Sequence, residues 1–141
     1  MQLTKQFKIL LLALLTMSIL STAVGIILVH TLPSVLQDYI SKIDNEFYSS
    51  AFGILDIFTI IIGIFAIAVI IGVWKFKNWA RHSYVLFTII FLPYYYIDGP
   101  IIMNPLEAIF NDLSLIIDGI LICMMYMTPL SNEFKLKDDK N

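Results

Sequence analysis

The chain has 141 residues, 59% of them hydrophobic and only 14% charged, against roughly 25% charged in an ordinary soluble domain. Its mean hydropathy is +0.84, and a soluble fold of this length has too much surface for its volume to hide that much apolar material. With one cysteine and two histidines that stand far apart, the chain has no disulfide framework and no Cys/His metal cluster, and no basic run is dense enough for nucleic acid.

Lys5 and Lys8 open the chain and an apolar run from about 7 to 29 follows. A basic start, an apolar core and "STA" (Ser21 to Ala23) also describe a cleavable signal peptide. The run continues through "VGIILV", long enough to span, so we read an uncleaved first helix, with cleavage as the alternative.

In "LPSVLQDYISKIDNEF", Val35, Leu36, Tyr39, Ile40, Ile43 and Phe47 fall on one face of a helix, with Pro33 suited to its first turn. The spacing predicts a short amphipathic helix over 33–47, lying on a membrane surface. Its apolar face is either a docking surface for a partner or a lid over the other helices.

The second apolar run covers about 51–74 and carries Asp56, and the third covers about 79–97. The loop "WKFKNWARH" between them is so short that the two runs must form an antiparallel hairpin. Trp74, Trp79 and Arg81 read as anchors at headgroup depth, and Tyr94, Tyr95 and Tyr96 as anchors at the opposite interface.

"DGP" (Asp98 to Pro100) is a turn signal. Asn104, Pro105 and Glu107 then stand at N-cap, first-turn and N3 spacing, opening a fourth apolar run over about 106–128 that Pro129 ends. Residues 131–141 read as a cytoplasmic tail.

Each run is close to the ~20 residues that cross ~30 Å of hydrocarbon. Eight of the nine basic residues precede the first run, lie between the second and third, or follow the fourth; Lys42 is the exception. Basic segments stay cytoplasmic, so the expected fold is an all-α integral membrane protein. It is a four-transmembrane-helix bundle of one domain, with both termini inside and a short outer amphipathic helix. The expected location is a bacterial inner membrane, inferred from small size and threading.

Asp118 lies ten residues from Thr128, about 15 Å along a helix and near the midplane. Asp56 lies eighteen residues from Trp74, about 27 Å, close to the outer interface. A charge at Asp118's depth costs on the order of 2.5–3.5 kcal/mol on insertion scales, so this side chain should face the bundle or stay protonated. Thr16, Ser18 and Thr88 offer hydroxyls at matching depth, and Gly63 and Gly119 would permit close helix approach. Asp118 is either an interhelical hydrogen bond that fixes packing, or a proton or ion relay or partner-helix docking point.

"WKFKNWAR" and "DGILICMMYMTPLSNEF" resemble patterns in small uncharacterised four-helix inner-membrane proteins of bacteria, a likeness covering about a third of the chain that implies the fold and no activity. Three function classes follow. A non-enzymatic interaction protein, an accessory subunit or an immunity-type protein, suits the small loops and the amphipathic helix. Its partners are the bilayer and a membrane protein or further copies of itself. An oligomeric transport or proton-coupled component rests on Asp118 alone. A membrane enzyme ranks last, because no nucleophile–base pair, metal cluster or phosphate loop is present, and no cofactor is expected.

Overall fold

The computed structural model describes residues 2–49, 54–97 and 101–136, with side chains over 2–42, 60–90 and 101–135. It is 90% helix, and no strand occurs among the described residues. Helix α1 runs Gln2–Leu28 and ends in a tight turn, Val29–Thr31; α2 is Ser34–Ser49, α3 Ile54–Trp74, α4 Asn78–Ile97, α5 Pro105–Met127 and α6 Leu130–Leu136. Gln2–Thr31 and Pro105–Met127 are long and apolar enough to cross a membrane, and Ile60–Trp74 is a shorter apolar stretch. Helix α4 is less apolar, because its first turn carries Asn78, Arg81 and His82.

The long helices pack as two pairs, α1 with α5 and α3 with α4, and α6 folds back against α5 and α4. The fully buried side chains gather at one end of this arrangement. Phe7 and Leu11 of α1, Val73 of α3, Leu121 and Met125 of α5, and Phe134 of α6 have no solvent exposure. Phe76, from the α3–α4 turn, completes a triangle of rings. Its centroid lies 5.5 Å from that of Phe7 and 5.1 Å from that of Phe134, and Phe7 and Phe134 are 6.1 Å apart. Tilted and edge-on rings at such separations attract through their quadrupoles as well as by burial.

The turn that presents Phe76 closes α3 in a Schellman motif. The Lys77 amide donates to the Gly72 carbonyl at 2.9 Å and the Phe76 amide to the Val73 carbonyl at 3.0 Å. The motif places its C′ residue in the left-handed region, and that residue is Phe76, with φ 58°. Glycine is usual there. A bulky residue tolerates it here because its ring is packed on two sides.

Gly72 faces the returning helix: a β-carbon on it would stand 2.5 Å from that of Ala80. Close approach in the hairpin therefore rests on Gly72. Gly63 and Gly119, expected to serve that purpose, have nothing within 4 Å of a β-carbon and face outward.

At the opposite end, α5 starts on the capping box its sequence spacing predicts. Asn104 Oδ1 accepts from the Glu107 amide at 2.9 Å, and the Glu107 carboxylate accepts from the Asn104 amide at 3.3 Å. The cap is also a helix–helix contact. Asn104, only 2% exposed, donates to the Val24 carbonyl at 3.5 Å, and Ser21 donates to the Glu107 carbonyl at 3.2 Å. Helices α1 and α5 are thus pinned at one end by polar bonds and at the other by the buried core that holds Phe7, Leu11, Leu121 and Met125, running antiparallel.

The segment expected as a cytoplasmic tail, 131–141, begins within α6, which carries Leu130 and Phe134, four residues apart on one face, into the core. One expectation is corrected. Arg81 was read as a headgroup anchor, but it is only 6% exposed. Its guanidinium donates to the carbonyls of Met125 (3.5 Å) and Ser131 (3.4 Å). It also lies over the rings of Tyr126 and Phe134. A cation at the carbonyl end of α5 complements the helix dipole and ties α4 to the α5–α6 junction.

Candidate functional site

Between the two helix pairs lies an open cleft of about 330 Å³, to which α1, α3, α4 and α5 all contribute. Its walls are mainly apolar, including Leu14, Ala66, Ile70, Phe87 and Leu115. The polar lining is Asp118 and Ser114 from α5 with Tyr84 and Thr88 from α4. Residues 84 and 88 share a face of α4, and 114 and 118 share a face of α5, because each pair is four apart.

The Tyr84 hydroxyl donates a short hydrogen bond to Asp118 Oδ1, joining α4 to α5 across the cleft. This is the direct polar link between the middles of the two helix pairs among the described residues. Both side chains are half-buried there, where a hydrogen bond offsets the cost of removing polar groups from water. The phenol therefore holds the Asp118 side chain at the cleft wall.

Of the hydroxyls expected near Asp118, only Thr88 lines the cleft, and its hydrogen goes to the Tyr84 carbonyl at 3.1 Å. Thr16 and Ser18 are exposed and donate within α1, to the carbonyls of Ala13 (2.9 Å) and Leu14 (3.0 Å). Ser114, not singled out from sequence, is buried and donates to the Asn111 carbonyl at 2.7 Å. Tyr84 was missed as well. Its α-carbon sits six residues into α4, about 9 Å, which is shallower than Asp118. A depth count that stops at α-carbons overlooks the reach of a phenol, and including that reach would have found it.

The remaining expected residues divide. Trp74 is half-buried with the Lys8 ammonium over its ring, 5.1 Å from the centroid, whereas Trp79 is exposed. On α2, Val35 is 75% exposed and Tyr39 is also exposed, while Leu36 and Ile40 are half-buried. Among the described residues, α2 shares no extensive contact with the long helices. The side chains of Ile43, Phe47, Asp56, Tyr94, Tyr95 and Tyr96 lie outside the described residues.

Beside the aromatic triangle a second polar group forms around Arg81. The Tyr126 hydroxyl donates to the Arg81 carbonyl at 3.3 Å and lies 3.1 Å from His82 Nδ1. This group joins helix ends, and its role is architectural. No three His, Cys, Asp or Glu side chains come together among the described residues. No family model, curated protein or solved structure matches this chain.

Proposed function

We propose that the chain is a four-span protein of a bacterial inner membrane with both termini inside, acting by non-covalent association in the bilayer, as an accessory or immunity-type protein. The threading rests on the distribution of basic residues, eight of nine on one side. It also accords with the up-and-down course of α1, α3, α4 and α5, all of which bring their cytoplasmic ends, so read, to the aromatic triangle.

The observation that supports the association reading is the exposure of Val35 and Tyr39 on the apolar face of α2. An amphipathic helix that covers its own bundle buries such side chains. Exposed Val35 and Tyr39 then dock on a membrane-protein partner at the outer surface. A second reading, a proton-coupled or transport component that oligomerises around Asp118, draws on the Tyr84–Asp118 bond in the cleft.

Affinity capture of the full chain in mild detergent separates the two. A stoichiometric foreign membrane protein, released by a Val35→Ser, Tyr39→Ser double variant, supports association. Homo-oligomers that conduct protons when reconstituted, and fail to do so as Asp118→Asn, support the second reading. A monomer with neither property refutes both.

A further inference from the structure

The Asp118 carboxylate faces a space that the protein itself leaves unfilled. A carboxylate has about four acceptor positions. The bond from Tyr84 occupies one. Thr88 and Ser114, the other hydroxyls of the cleft, give their hydrogens to the Tyr84 and Asn111 carbonyls. Among the described residues no basic side chain lines the cleft. Lys8 lies over the ring of Trp74, and Arg81, one turn before Tyr84 on α4, lies over the ring of Tyr126 and donates to the Met125 and Ser131 carbonyls.

The cleft volume, about 330 Å³, lies within the range of small-molecule pockets, roughly 300–1,000 Å³. One anionic group beside aromatic rings, with aliphatic walls opposite, is complementary to a particular shape of ligand. We propose that this cleft binds a lipophilic organic monocation, an ammonium-type head attached to an apolar body. Asp118 is its counter-ion, and Tyr84 is a positioning residue whose ring also faces the charge. The body lies against Leu14, Ile70 and Leu115.

Other occupants fit less well. A hard metal ion wants six or more oxygens, and the cleft presents one carboxylate. A lipid acyl chain fills the volume but leaves the carboxylate uncompensated at a depth where charge is costly. A proton compensates the charge and fills nothing. The site stands whether or not a protein partner docks on α2, because no described α2 residue lines the cleft.

The test uses the full chain in phosphatidylcholine nanodiscs, with empty discs subtracting bulk partition. The probe is 4-phenylbutyltrimethylammonium, and the control is its neutral isostere with carbon in place of nitrogen. Equilibrium dialysis is expected to show saturable binding of one cation per chain, at least tenfold tighter than the isostere. Asp118→Asn should lose that preference with helicity and elution volume unchanged. Tyr84→Phe should weaken the cation severalfold while the preference persists. Ala66→Phe, which fills the cleft and leaves the carboxylate in place, should abolish binding of both compounds and decides the matter if Asp118→Asn fails to fold. Equal retention of cation and isostere, or cation binding unchanged in Ala66→Phe, overturns the proposal.

Discussion

Replacing Phe76 tests the turn and the aromatic triangle together, because alanine and glycine are expected to rank in an unusual order. Truncating a buried phenylalanine costs about 3–5 kcal/mol, and Phe76 is 1% exposed between Phe7 and Phe134. Alanine bears that whole loss, because its β-carbon still opposes the left-handed backbone at φ 58°. Glycine escapes a left-handed penalty of about 1–2 kcal/mol and gives back about 0.5–1 kcal/mol in unfolded-chain entropy. Phe76→Gly should therefore be more stable than Phe76→Ala by roughly 1 kcal/mol, with both well below wild type. Unfolding in mild-detergent micelles with rising dodecyl sulfate, followed by far-UV circular dichroism, reads all three. Alanine at or above glycine would refute the left-handed turn; two variants as stable as wild type would refute the triangle.

The glycines give a second contrast: Gly72→Ala forces α3 from α4 and should lose about 1–3 kcal/mol, whereas Gly119→Ala meets open space and should gain up to ~1 kcal/mol of helix propensity. The same unfolding assay checks both. Asn104→Ala removes the capping box and the bond to Val24. It should cost about 0.5–2 kcal/mol, visible as faster amide exchange confined to the first turn of α5. Arg81→Met should loosen α6 by the worth of a hydrogen bond from a charged donor, ~1.5 kcal/mol. Trypsin should then cut after exposed Lys135 about tenfold faster; an unchanged rate would mean that packing alone holds α6.

The long helices were legible because lipid-compatible runs leave no ambiguity of period, and the start of α5 was legible because Asn104, Pro105 and Glu107 are a local code. What escaped was non-local. Nothing local in "LSNEFKL" marks a core element, and only the presence of Phe7 and Phe76 nearby in space makes Leu130 and Phe134 core residues. Arg81 on a first helical turn looks like any interfacial cation until the carbonyl end of α5 arrives above it. Gly72 and Gly119 are identical in sequence terms. Which one admits a neighbour is decided by Ala80, eight positions along and across a turn. The partner of Asp118 escaped because a count of α-carbons along each helix leaves out the reach of the Tyr84 phenol.

The ring triangle also imposes a timetable on biogenesis. Phe7 leaves the ribosome well before Phe134 is polymerised, and at ~5–20 residues per second it waits on the order of ten seconds for its partner. Throughout that interval the first helix has no finished core to join, and a premature stop after Pro129 would leave that vacancy permanent.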